Sequence, residues 1–257
     1  MKKYEEEAGY ETSLWYPMNA SDRMLAFNQT SKDPVLRKIF RDKRFRIAVS
    51  QAINREEISQ ILHFGMTEPQ QAMPPKGTLL YEATKHVAKL YTEYDPAKAN
   101  RLLDEMGLDK RSAEGWRLRP DGEELFLNFE TYQKAWTPSL EMVVDHLRNV
   151  GLKASFKIID LGLFNPRAGD NEMDCYWTAG HSVPVYPDHF VFFPKEDRTP
   201  YAPAYGLWYA SDGEKGEEPT GEFMENIKRY EQMMIEPDAE KRFELQVQIV
   251  TTAVEEL

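Results

Sequence analysis

The sequence predicts an α/β fold with a largely parallel sheet flanked by helices. Strand and helix signals alternate between Leu125 and Ala179, apolar stripes at helical spacing occupy the chain on both sides of that stretch, and Gly or Pro closes most segments. Strands that alternate with helices are joined by right-handed crossovers, which make neighbouring strands parallel.

Taken in order, "RMLAFNQTS" is the first strand candidate, ended by the turn signal Asp33-Pro34. The basic stretch "RKIFRDKRFR" interleaves Ile39, Phe40 and Phe45 with its charges and reads as an amphipathic helix with its basic side in water. Phe45, Ala48, Val49, Ala52 and Ile53 share one helical face. Asn54 then starts a second helix. Its side chain can accept from the next turn's free amides, and Glu57 can reach back to the amide of Asn54, the two arms of a capping box. Ile58, Ile61 and Leu62 form that helix's stripe, which ends at Gly65.

"EPQQAMPPKGT" is a Pro- and Gly-rich loop. In "EYDPAKANRLLDEMGL", Asp95 caps a helix, Pro96 takes the first position where its missing amide costs nothing, and Gly107 suits the left-handed end. A β-hairpin is expected to turn at Asp121-Gly122 and to run into Leu125, Leu127 and Phe129. Pro138 opens a helix carrying Leu140, Val143, Val144 and Leu147, Gly151 stops it, and "LKASFKII" is the next strand. A short helix from Leu163 to Ala168 leads to a third strand, "EMDCYWTA". The stretch from Pro184 to Pro219 is aromatic and has no clear periodicity; helices follow near 221–235 and after Pro237, the last without a stop signal.

In open sheets of this class, ligands sit outside the carboxyl ends of the strands. Here those ends are Thr131 and Tyr132, Asp160, and Thr178 to Ser182.

Composition narrows the function. A net charge of -11 opposes nonspecific nucleic-acid binding. No stretch approaches the roughly 18 apolar residues of a membrane helix. The single cysteine, Cys175, excludes an internal disulfide framework and a multi-thiolate metal site, and its place in a strand fits a small buried hydrophobe. The amino terminus has lysines but no apolar secretion core. The motifs G-x-S-x-G, the P-loop, H-E-x-x-H and C-x-x-C do not occur. His181 and His189, with Asp188, lack helical ligand spacing and read as surface or pocket histidines, so no metal and no cofactor is expected.

Four motifs carry a family resemblance. "RFRIAVSQAINREEI" resembles the pattern R-x-A-L-x-x-A-I-D-R-E-x-I at Arg46, Ala48, Ala52, Ile53, Arg55, Glu56 and Ile58; "YDPAKANRLLDEMGL" resembles Y-D-P-x-K-A-x-x-L-L-x-x-A-G; "LRNVGL" precedes a strand; and Asp174 stands in an "fDm"-like strand. Together these resemble the C-terminal part of family 5 extracellular solute-binding proteins, the receptors of ABC importers.

The resemblance implies a periplasmic binding protein-like lobe of class II (cluster C). Residues 1–40 would be a lead-in segment and strand, and 41–257 the C-terminal α/β lobe. The N-terminal lobe and the final return strands would lie outside this chain. It further implies a noncatalytic receptor for a peptide or oligosaccharide-like solute, periplasmic or extracellular and membrane-anchored, that meets the membrane only through its permease or a lipid anchor. Peptide-binding members carry an Asp after the third strand that pairs with the ligand's ammonium; ungapped alignment places Val183 there, which favours an oligosaccharide or an unusual peptide. Strand-end position and ring chemistry select Tyr132, Trp177, His181, Tyr186 and Trp208 as ligand contacts. The alternatives are the ligand-sensing domain of a regulator that uses the same fold, and a hydrolase.

Overall fold

The computed structural model describes residues 4–13, 18–180, 187 and 189–256. In chain order the elements are α1 (Glu5–Ala8), β1 (Ser21–Phe27), α2 (Pro34–Arg41), α3 (Lys43–Ala52), α4 (Arg55–His63), α5 (Leu79–Thr84), α6 (Pro96–Glu105), β2 (Phe126–Thr131), α7 (Thr137–Asn149), β3 (Lys153–Ile158), α8 (Leu161–Gly169), β4 (Cys175–Gly180), α9 (His189–Phe192), α10 (Pro203–Ala210), α11 (Glu222–Ile235) and α12 (Ala239–Glu256).

The four strands form one sheet in the order β1-β4-β2-β3. β2 runs parallel to both β3 and β4, while β1 is an antiparallel edge strand on β4. The alternation of side chains sorts the two faces. Phe27, Leu127, Phe129, Ala154, Cys175 and Trp177 join the main core with the buried residues of α2, α3, α6 and α7. Ala26 and Tyr176 turn the other way, onto Phe164 and Ala168 of α8. Within the main core, Phe27 meets Phe40, Phe45 and Phe129 with ring centroids 5.2, 5.1 and 5.9 Å apart. The Cys175 thiol lies in that core, and burial holds its pKa well above the usual thiol value. A second cluster, with Met73, Leu80, Phe193, Ile249 and Val250, joins α5, α9 and α12 beside the sheet.

Helix boundaries follow from capping. The basic stretch is two helices rather than one, because Asp42 leaves the helical region and its carboxylate accepts from the amide of Arg44 at 2.9 Å. Asp33 does the same for α2, accepting from Val35 and Leu36. Asp95 caps α6 through the amide of Lys98, and α7 ends at Gly151, whose φ of +79° is in the left-handed region.

The expected capping box at Asn54 is half present. Asn54 accepts from the amide of Glu57 at 3.2 Å, but Glu57 does not return to the amide of Asn54. His146 of α7 stands between them. Its Nδ1 accepts the Asn54 amide at 3.3 Å and its Nε2 lies 3.0 Å from Glu57 Oε2. An accepting Nδ1 leaves the proton of a neutral ring on Nε2, facing the carboxylate. The box has been opened to admit a residue from another helix, so the cap also ties α4 to α7.

Three arginines are internal cross-links, and two of them, Arg46 and Arg55, belong to the first motif. Arg46 donates to the carbonyls of Phe40 at 2.6 Å and Glu256 at 2.9 Å. Arg55 donates to the carbonyl and hydroxyl of Ser50, and burial pulls its pKa down to about 10, Glu93 opposing. Arg117, with no exposed surface, donates to the carbonyls of Val150 and Leu108 and to the side chains of Asp104 and Asn100.

Two strand expectations need correction. The hairpin at Asp121-Gly122 reduces to a turn, closed by an isolated Leu118–Glu124 bridge, and the strand that follows pairs in parallel with β3 and β4 instead. The strand "RMLAFNQTS" ends at Phe27, and Asn28 to Ser31 form a turn. Two helices had no readable period. α10 buries Pro203, Ala204, Tyr205 and Gly206, so it lacks the contrast between faces that a periodicity needs. α5 is a short helix of Leu79–Thr84, capped by Thr78.

Urea denaturation of single variants is expected to separate these roles. Asn54→Ala removes one cap and should cost about 1 kcal/mol. Arg117→Met strands several buried acceptors at about 1–3 kcal/mol each and should cost about 3 kcal/mol or more.

Candidate functional site at the carboxyl ends of the strands

The parallel strands β2, β3 and β4 point their carboxyl ends the same way, and the antiparallel β1 places its first residues there too, with Ser21 opposite Gly180. The chain leaves β2 through Thr131 and turns into α7 over a 3-10 turn at Lys134–Trp136. This short connection carries two aromatic rings. Tyr132 packs edge-on against Trp136, centroids 5.4 Å apart, and against Phe164 of α8 at 5.0 Å. Both Tyr132 and Trp136 remain half-buried.

Arg23 of β1 completes the group. Its guanidinium carbon lies 4.5 Å from the centre of the Trp136 ring, so the cation rests on the ring's negative face. Asp22 pairs with it at 3.0 Å. Burial draws the pKa of Arg23 below its usual value, against the pull of Asp22. On the β3 side, Asp160 caps α8 through the amide of Gly162 at 2.7 Å, and Leu161 and Leu163 stay exposed. The result is a ledge with two aromatic rings, one cation and apolar margins. It can bind a solute by ring contact and by a charge-assisted hydrogen bond.

Of the residues selected from the sequence, Tyr132 is on this ledge. Trp177 is not: it is 5% exposed and its ring belongs to the main core, although its indole N–H is buried without a partner among the described residues. A strand-end position did not decide its role, because alternate residues of β4 face opposite sides and Trp177 shares the core face with Cys175. Trp208 lies on α10, which is tethered at the opposite end of the sheet by the amide of Ala204 donating to Thr30 Oγ1, and its ring sits beside Gly213. His181, Val183, Tyr186 and Asp188 lie outside the described residues, as does the side chain of His189.

Sequence reasoning missed Trp136 and Arg23. Trp136 left a signal, an aromatic in the short connection between Tyr132 and the helix opened by Pro138. Arg23 left none, since it meets Trp136 only because β4 lies between β1 and β2 in the sheet.

Asp174, the strand motif's acid, is at the other end of the sheet. Its carboxylate accepts from Ser31 Oγ at 2.5 Å and its carbonyl from the amide of Asn28 at 2.9 Å. Burial raises its pKa above the ordinary carboxylate value, with the Ser31 hydroxyl acting in the opposite direction. It fastens the scaffold and does not face the ledge.

Comparison with known proteins shows the family and the fold. The family described as bacterial extracellular solute-binding proteins, family 5 Middle, matches residues 2–196. The chain is 29% identical over 133 residues to the probable ABC transporter periplasmic-binding protein SapA of Escherichia coli (strain K12), a match that covers 50% of this chain and 20% of SapA. Among solved structures, an oligopeptide-binding protein OppA superimposes with a TM-score of 0.84 at 29% identity, covering 98% of this chain and 42% of that one. The periplasmic binding protein MelB from Agrobacterium fabrum C58, in complex with stachyose, shares the fold with a TM-score of 0.72 at 18% identity, covering 94% of this chain and 37% of that one. The chain therefore spans less than half the length of these relatives.

A pH-dependent effect is expected at Asp174. A folded-state pKa above the unfolded value favours the native state below the unfolded value, about 3.9, and that contribution is lost as pH rises through the raised value. At neutral pH the ionised group is thus a net cost. Asp174→Asn keeps an oxygen for Ser31 and should melt at or above the parent at pH 7, with the advantage shrinking towards pH 4.

Proposed function

Because the chain belongs to the bacterial extracellular solute-binding proteins of family 5, we propose that it supplies the C-terminal lobe of a receptor for an ABC importer. The receptor captures a peptide or oligosaccharide-like solute and delivers it to a membrane permease; it performs no chemistry on the cargo. Residues 1–40 lead into the lobe and contribute its edge strand β1 and most of α2, and 41–257 build the rest. The whole protein works in the periplasm, or outside the cell on a membrane anchor.

The observation that carries this reading is the aromatic ledge of Tyr132 and Trp136 at the carboxyl ends of the parallel strands. Aromatic faces suit both candidate cargo classes, packing on the apolar faces of sugar rings and on peptide side chains, while a few polar groups set orientation. Closure of a second lobe over the ledge would remove both rings from water, and the half-buried state of Tyr132 and Trp136 leaves surface for that step. The names of the relatives support the same cargo classes, since OppA is an oligopeptide-binding protein and MelB was solved with stachyose. No observation favours the regulator reading.

Calorimetry on the protein with both lobes, against panels of short peptides and oligosaccharides, tests this. Saturable binding is expected from at least one panel, and Trp136→Ala should weaken it by about tenfold, or about 1.4 kcal/mol. Silence from both panels would sink the receptor reading.

A further inference from the structure

Arg23 is held in an unusual way for a strand-edge arginine. Its side chain crosses the end of β4 to lie on Trp136, 4.5 Å from the ring centre, and only 26% of it is exposed. Its bonds are all on one side. Nη1 meets the carboxylate of Asp22 at 3.0 Å and donates to the Asp22 carbonyl, whereas Nε and Nη2 have no partner among the described residues. Those two nitrogens form the edge of the guanidinium that presents parallel N–H groups, the fork that matches a carboxylate.

The surroundings favour filling that edge. A cation held partly out of water with one edge unbonded loses hydration without recovering it, and a neutral cargo covering the ledge would deepen the loss. Asp22 does not remove the need, because its side chain is 63% exposed and it engages the opposite nitrogen. The chain's net charge of -11 would repel an anion at long range. Screening confines that repulsion to about 8 Å at physiological salt, so within contact distance the Arg23 cation dominates. Contact with the Trp136 ring, 4.5 Å from its centre, restricts where the guanidinium can lie and so limits the positions of the fork.

We infer that Arg23 is the anchor for a carboxylate of the transported solute, making the cargo an acidic one: a peptide with a free carboxyl group or an acidic oligosaccharide. This rests on the receptor reading above and goes further, since that reading admits neutral sugars and blocked peptides equally.

The test is calorimetry on the protein with both lobes, using matched probes that differ only in the carboxylate. One set is N-acetylated tripeptides with free carboxyl termini beside the same tripeptides amidated; the other is trigalacturonate beside its methyl ester. In whichever pair binds, the free acid should bind about tenfold or more tightly than its neutral twin. Arg23→Met, checked by an unchanged melting temperature, should erase that preference. Arg23→Lys keeps the charge without the fork and should retain only part of it, a readout that survives if the Met variant does not fold. A neutral twin that binds as well as its acid, or a preference that persists in Arg23→Met, overturns the anchor and leaves the receptor standing. If none of these probes binds while neutral oligosaccharides do, the anchor falls alone; if nothing from either cargo class binds, both readings fall.

Discussion

The rest of this fold hangs on one short turn, Asn28 to Ser31, where the edge strand ends. All four residues are buried, and a buried turn must find a partner for each backbone group. Asn28 donates to Asn171 Oδ1 at 2.6 Å and to the carbonyl of Met173, and its own oxygen accepts the Thr30 amide and hydroxyl. The Gln29 amide donates to Tyr201, Thr30 Oγ1 accepts from Ala204, and Ser31 donates to Asp174. Arg37 and Arg41 of α2 close the remaining carbonyls of Gln29, Thr30 and Ser31. The start of β4, the first helix after the turn and the distant α10 are thereby locked to the same point.

That lock sits at one end of the sheet, and the Tyr132–Trp136–Arg23 ledge sits at the other. The separation has a physical basis. Satisfying a dense set of buried polar groups fixes geometry and leaves no donor or acceptor for a ligand, whereas the ledge keeps half-buried rings and a cation with two nitrogens unpartnered among the described residues. The family motifs fall on the locked side of this division. Arg46, Arg55, Asp95 and Asp174 all bond within the chain, so the residues that identify the family are the ones that build it.

Legibility in the sequence follows the same line. Capping residues and apolar stripes act over a few positions, which is why the bounds of α4, α6, α7 and the three parallel strands could be read closely. What could not be read depends on distant partners. His146 enters the Asn54 cap from α7, Arg23 meets Trp136 across an intervening strand, and Trp177 faces the core because of the register of β4 on β2. Residues 28–31 looked like strand because their polarity is set by a hydrogen-bond hub that no local pattern reveals. α10 escaped because a helix covered on most sides carries no period.

The buried thiol of Cys175 has a practical consequence. It is the chain's single cysteine, it is 1% exposed, and burial keeps it protonated well past neutral pH. Alkylating probes attack the thiolate, so the native residue stays silent to them without being replaced. A cysteine introduced at an exposed rim position such as Leu163 would be the one site in this chain to take up a fluorophore, making this sequence a ready background for an optical sensor of the proposed solute binding at the ledge.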